Sequence, residues 1–289
     1  MRDLTEANLT EAVLQKLSNT KDPRLKEVMS SLIQCLHTFI REVEPTQDEW
    51  FDAIQFLTEV GQKCTDKRQE FILMSDTLGA SMLIDAINNR KVEGTTESSV
   101  LGPYYRESAP ELASGQSISM TKEGETIQVS GHVSDQKHVP IKGAILDVWQ
   151  TAPNGLYDVQ DTKQPDMNLR GKFRTDTKGR YLFHTVKPAS YPIPTDGPVG
   201  KMLSGLSWHP NRPAHIHFIV SAKGFKPVTT QLFIDGDPYL ESDAVFAVKD
   251  SLVAKIVSRE GASSKDTAIN NVSPVHNDIH YDFRLEPVQ

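Results

Sequence analysis

The chain has 289 residues, 38% of them hydrophobic and 24% charged, so it can bury a large core as one domain or as two modest ones. Its net charge of −7 argues against a general nucleic-acid binder, which presents a basic face. The start Arg2-Asp3-Leu4-Thr5-Glu6 lacks the apolar stretch of a signal peptide, and no apolar run is long enough for a bilayer. A cytoplasmic protein without membrane insertion or nucleic-acid partner is therefore expected.

The first ninety or so residues read as helices. Asp22-Pro23 is a helix start, since Asp caps and Pro suits the first turn. Leu25, Val28, Met29, Leu32, Leu36, Phe39 and Val43 then recur at helical spacing until Pro45 ends the run. Thr46 with Glu49 makes a capping box for a second helix carrying Trp50, Phe51, Ile54, Leu57 and Val60. A further helix is expected from about Arg68 to Asn89, with Leu73, Leu78, Met82, Leu83 and Ile87. Cys35 and Cys64 sit in this region and read as reduced thiols, with no further ligands at zinc-site spacing. The helices hold more apolar positions than one core-facing stripe needs, which fits either a packed helical layer or a partner surface.

Past residue 90 a loop rich in Gly, Ser and Thr leads into short β-rich runs. Strands are expected at Thr126–Val133, Ala144–Gln150, Arg180–Val186, Ala214–Val220 and Val228–Ile234, separated by turns such as Asp176-Thr177-Lys178-Gly179. The pattern predicts a mainly β protein with α: an antiparallel β-sandwich core over 101–289 and an N-terminal helical domain over 1–100.

The strongest chemical signal is Arg212-Pro213-Ala214-His215-Ile216-His217-Phe218. Strand alternation puts His215 and His217 on one face as a ready pair of metal ligands. Alone, an H-x-H tripeptide is more often a pair of polar residues on a solvated strand face. Here the other residues of that face are Pro213 and Ile219, and buried imidazoles need partners. There is no H-E-x-x-H, and no two-histidine, one-carboxylate site is expected. Phenolates of Tyr157 and Tyr191 would supply hard anionic donors, but spacing does not separate these two from Tyr104, Tyr105, Tyr181 or Tyr239. A ferrous or zinc hydrolase with His209 as third ligand, and a non-catalytic β-sandwich binding module, stay open at this level.

The chain resembles the intradiol ring-cleaving dioxygenases of the catechol and hydroxyquinol type. The resemblance is carried by Thr96-Glu97-Ser98-Ser99-Val100-Leu101-Gly102-Pro103, Asp147-Val148-Trp149-Gln150, Asn168-Leu169-Arg170-Gly171, Tyr181, the Tyr191 loop, Arg212 to His217, and Thr229-Thr230-Gln231-Leu232. It implies a β-sandwich core, a homodimer joined through the N-terminal helices, and a phospholipid-like molecule held between them. It also implies one Fe(III) per subunit, held by Tyr157, Tyr191, His215 and His217, which with O2 opens a small aromatic diol to a cis,cis-muconate. Arg212 and Gln231 would line the reacting ring, and Tyr191 would take a substrate proton.

Tyr191-Pro192-Ile193-Pro194-Thr195-Asp196-Gly197-Pro198 and Leu73-Met74-Ser75-Asp76-Thr77-Leu78-Gly79 resemble the hydroxyquinol branch more than the catechol or chlorocatechol branch. By that resemblance Leu73, Asp76, Val100, Leu101, Gly102 and Pro103 would line the substrate pocket, and so would Tyr104, Ile193, Pro194, Arg212 and Val245. Asp76 would accept a hydrogen bond from a third ring hydroxyl. Tyr104 stands where relatives commonly have Phe, which places an extra hydroxyl beside the ring and favours polar or larger diols.

Overall fold

The computed structural model describes residues 2–65, 68–90, 92–258 and 277–288. The chain forms two compact units, Met1–Glu59 and Val60–Gln289. In the first unit, α1 (Leu9–Gln15) precedes α2 (Pro23–Val43). The Asp22 carboxylate caps α2 by accepting from the Arg24 and Leu25 amides at 2.8 and 3.1 Å. The capping box is formed: Thr46 and Glu49 exchange hydrogen bonds at the start of α3 (Gln47–Lys63). No helix is long and apolar enough to cross a membrane among the described residues.

The single helix expected from Arg68 to Asn89 is two, α4 (Glu70–Thr77) and α5 (Ala80–Asn88). Gly79 between them has φ +72°, a left-handed conformation that stops α4 and that a side chain would strain.

The strands follow as β1 (Thr126–Asp135), β2 (Ile145–Gln150), β3 (Arg170–Arg174), β4 (Arg180–Val186) and β5 (Tyr191–Pro192). After α6 (Pro198–Gly205) come β6 (Asn211–Arg212), β7 (His215–Ser221), β8 (Val228–Ile234) and β9 (Val253–Ala254). The last are β10 (Ile256–Ser258), β11 (Asn277–His280) and β12 (Phe283–Leu285). One sheet runs β10-β11-β1-β12 with β4 also on β1, and the other runs β3-β2-β7-β8-β9. The long central pairs are antiparallel as expected, but β1 takes β11 and then β12 in parallel, and β8 takes β9 in parallel. Val129, Val133, Phe183 and Phe283 of the first sheet share one buried cluster with Leu146, Val148, Phe218 and Leu232 of the second. Burying this apolar surface is the main term holding the sandwich together. It also makes β7 a central strand with a rigid backbone on both sides, which positions what it carries.

Candidate active site

Alternation along β7 turns His215 and His217 to the same side, as the sequence predicts. The His217 ring stacks on Trp149 of β2, its register partner, at 4.7 Å and 7°. His215 Nδ1 lies 2.7 Å from the Pro213 carbonyl. A carbonyl only accepts, so Nδ1 carries the hydrogen and Nε2 is left with its lone pair. Tyr157 comes from the connection between β2 and β3. Its amide donates to Gln160 Oε1 at 3.0 Å, and its ring is stacked on Tyr104 at 4.5 Å. Asp158 anchors the same turn, accepting from Arg106 at 2.6 Å and from Arg170 Nε at 2.8 Å. Tyr191 opens β5, where pairing with β6 sets it opposite Arg212.

These four residues, spread over 60 positions of sequence, meet in a closed ring of short contacts. Tyr157 Oη is 3.2 Å from Tyr191 Oη and 3.0 Å from His217 Nε2. His215 Nε2 is 3.1 Å from His217 Nε2 and 3.5 Å from Tyr191 Oη. All four are buried. Burial, with the Arg212 charge behind it, holds His215 down at about 3, and burial next to His215 keeps His217 well below its ordinary range. Both imidazoles are neutral at physiological pH and offer lone pairs. Burial, and then the neighbouring Tyr191, raises the Tyr157 phenol well above 10. Two neutral imidazole nitrogens facing each other, beside two phenol oxygens and with no carboxylate among them, are poorly served by hydrogen bonds alone. His217 Nδ1 is moreover buried without a partner among the described residues. The donor set fits a hard trivalent cation, which would displace the phenolic protons.

Arg212 backs this tetrad. Its guanidinium is sealed in protein and not paired at the surface. Nε and Nη2 grip the Asp243 carboxylate at 3.0 and 3.1 Å, Nη2 also donates to Gln231 Oε1 at 2.9 Å, and Nη1 lies 3.3 Å from His215 Nε2. Burial opposes that charge, but Asp243 together with the neighbouring Tyr191 and Tyr157 outweighs it and raises the Arg212 pKa further. Gln231, on β8 opposite His217, donates in turn to the Val100 carbonyl at 2.6 Å. Sequence reasoning missed Asp243: it sits in a short irregular segment 31 residues from Arg212, and only the folded chain pairs them.

A cavity of about 650 Å³ opens beside Tyr191 and Arg212. Leu73, Asp76, Val100, Gly102, Pro103, Tyr104, Ile193, Pro194 and Val245 line it. Leu101 does not: it is 42% exposed, because Gly102 at φ +75° turns the chain there. A Cβ on Gly102 would stand 3.2 Å from His217 Cε1, so the backbone approaches the tetrad where only glycine leaves room. Asp76 is no surface carboxylate. It is 7% exposed, and burial raises its pKa. Arg68, Gln160 and Tyr105 also line the cavity and were not among the expected pocket residues. The Tyr104 hydroxyl accepts from Gln160 Nε2 at 2.8 Å. A second cavity of about 790 Å³ is lined in part by Asp243 and by none of the four donors. It includes His209, which is exposed and packs its ring at a tilt against Tyr239, away from His215 and His217, so the three-histidine arrangement is not formed among the described residues.

Residues 22–96 match the family model for the catechol dioxygenase N terminus, and 100–287 match that for a dioxygenase. Hydroxyquinol 1,2-dioxygenase of a Rhizobium species is 51% identical over 89% of this chain and 88% of its own. The 6-chlorohydroxyquinol 1,2-dioxygenase of Cupriavidus pinatubonensis is 45% identical over 99% of both. The crystal structure of hydroxyquinol 1,2-dioxygenase from Pseudomonas putida superposes with a TM-score of 0.92 at 45% identity, covering 98% of this chain and 99% of that one. With a β-sandwich, a helical N-terminal part and relatives matched nearly end to end, the chain belongs to the intradiol ring-cleavage dioxygenases, a family of non-haem iron enzymes.

Proposed function

We propose that the chain uses O2 to open the ring of hydroxyquinol between its two adjacent hydroxylated carbons, giving 3-hydroxy-cis,cis-muconate. The observation that supports this most is the pairing of a carboxylate-free tyrosine–histidine tetrad with a cavity that buries Asp76 in its wall. Tyr157, Tyr191, His215 and His217 would hold one Fe(III) per subunit. When bound, that ion supplies Lewis acidity and a template for the diol oxygens.

The chain's own groups do the rest. Tyr191 Oη takes a proton from a substrate hydroxyl, acting as general base. Arg212, locked by Asp243 and Gln231, presents a fixed positive charge to the negative charge that develops on the substrate. Asp76 accepts a hydrogen bond from the third hydroxyl, while Leu73, Ile193, Pro194 and Val245 hold the ring and exclude water. We assign the division between helical and catalytic parts to about residue 100, and propose a homodimer joined through the N-terminal helices around a phospholipid-like molecule. The apolar residues left exposed on α2, among them Leu25, Leu32, Leu36 and Phe39, support that assembly.

Oxygen uptake by the iron-loaded protein, with hydroxyquinol, catechol and a chlorocatechol side by side, tests the reading. The expected result is a red protein with a phenolate-to-iron visible band that consumes oxygen fastest with hydroxyquinol. A colourless protein carrying stoichiometric zinc would overturn the site, and preference for catechol would overturn the substrate.

A further inference from the structure

Apart from the tetrad and its cavity, a second group of metal-type donors gathers on the outer face of the sandwich. His132 lies on β1, His280 ends β11, and Asp282 sits at the corner between β11 and β12. The sequence His280-Tyr281-Asp282 is an H-x-D, so the expectation that the chain has no two-histidine, one-carboxylate constellation is corrected here. We propose that these three side chains form a binding site for one divalent ion of the zinc type, separate from the iron centre.

The topology builds the cluster. β11 pairs in parallel with β1 up to Ser130 opposite His280, and the chain then steps across the corner to resume on β1 as β12, with Phe283 opposite Val133. That step brings the Asp282 carboxylate onto β1, where Oδ1 accepts the His132 amide at 2.8 Å. The same oxygen lies 3.3 Å from His132 Nδ1 and 3.3 Å from His280 Nε2, and the three ligand atoms are all within 4.8 Å of one another. Imidazole and carboxylate ligands sit about 2.0–2.2 Å from zinc, so neighbouring ligands of a tetrahedral ion are roughly 3.3–3.5 Å apart. The two nitrogen–oxygen separations already have that spacing.

Hydrogen bonding alone describes the cluster less well. One carboxylate oxygen has about two lone-pair sites, and here it faces a backbone N–H and two imidazole nitrogens. An ion replacing the imidazole hydrogens removes that oversubscription, because each nitrogen then turns a lone pair to the metal. The rings stand edge to face at 6.3 Å, and all three side chains reach solvent, so water can complete the coordination. The nearest cation in the sheet register, Arg180 opposite His132, is engaged with Asp176 at 2.7 Å. A bound ion would clip the end of β11 and the start of β12 to β1 and stabilise the folded chain by mass action.

The test uses the iron-loaded full chain and zinc chloride as the probe, with zinc and iron counted after equilibrium dialysis. One zinc per chain is expected in addition to the iron, with the visible band and oxygen uptake unchanged. Zinc should raise Tm in wild type. In His280→Ala, and in His132→Ala combined with His280→Ala, zinc affinity should fall about tenfold or more and the Tm rise should vanish, since loss of a direct ligand costs at least what loss of a supporting group does. These variants keep the Asp282 carboxylate on the His132 amide, and their Tm without zinc reports whether the corner stays folded. No added zinc in wild type, equal zinc in the double variant, or zinc gained only as iron is lost would each overturn the site.

Discussion

Arg212 is a buried cation whose cost is met by one carboxylate, and that pairing separates folding from chemistry. Removing either partner leaves the other charge sealed in protein, which costs about 3–5 kcal/mol. Arg212→Leu and Asp243→Leu should therefore each lower stability by that order in urea unfolding, and the combined variant should recover most of it. Activity should not recover: kcat in the double variant should stay down by roughly 10²–10³-fold, the range for losing one preorganised electrostatic partner, with iron content near normal. Near-normal turnover in the double variant would make Arg212 a structural residue only. Asp76 gives a second prediction. Burial raises its carboxyl above the usual range, so its charged form opposes folding at neutral pH, and the penalty fades as pH falls through the raised folded value. Asp76→Asn should raise Tm at pH 7, by an amount that shrinks towards pH 4. The same change should reduce the hydroxyquinol-to-catechol ratio of kcat/KM, expected at about 10- to 100-fold in wild type. An unchanged ratio would show that Asp76 does not read the third hydroxyl. The tetrad was legible at this scale because His215-Ile216-His217 is local, while Tyr157 and Tyr191 came only through family resemblance. Asp243 and Gln160 were not, since nothing in a sequence links an irregular-segment carboxylate to an arginine 31 positions away or a turn amide to a tyrosine ring.

At the level of elements, strong caps and clean periodicity were readable and conformational breaks were not. Asp22-Pro23 and Thr46 with Glu49 mark helix starts that the structure places at the expected residues. The apolar period runs through Gly79 without a fault, so the break between α4 and α5 was invisible to pattern alone. β3 was missed because Arg170-Gly171-Lys172-Phe173-Arg174 offers one large apolar side chain, and its burial comes from neighbours instead. α6 was hidden inside a proline-stiffened loop, where Gly197-Pro198 is its start. The Gly79 break aims Asp76, four-fifths of a turn before it, into the cavity wall. A Cβ there meets only Phe246 at 3.6 Å, so the strain of Gly79→Ala is in the backbone and not in the space. That variant should lose about 1–2 kcal/mol in urea unfolding, and Gly79→Asn less, because Asn tolerates the left-handed region better. Equal losses would point to packing rather than φ.

For the whole molecule, the unexplained surface is apolar. α2 has no buried residue, and Leu25, Val28, Leu32, Leu36 and Phe39 follow one another at helical spacing along it. A contiguous exposed stripe of this kind marks an association surface. Sedimentation velocity should show a dimer, Leu32→Glu with Leu36→Glu should shift it towards monomer, and solvent extraction of the wild type should release a lipid detectable by mass spectrometry. A wild-type monomer would remove the proposed assembly and leave the iron site untouched. The sandwich itself was legible as a set of alternating strands with turn residues between them, but its parallel edges were not, because β11 and β12 are short and polar in places and lie far from β1 in sequence.

The late arrival of those two strands has a consequence for biosynthesis. β1 takes β4 along one edge, yet the other edge is filled only by residues 277–285, about 150 positions downstream. At roughly 5–20 residues per second of translation, that edge stays open for about 8–30 s on each nascent chain. An unpaired strand edge is a template for intermolecular pairing. The nascent chain is thus most exposed to aggregation just before its final strands emerge, and a truncation that spares the entire tyrosine–histidine tetrad but removes β11 and β12 should yield insoluble protein.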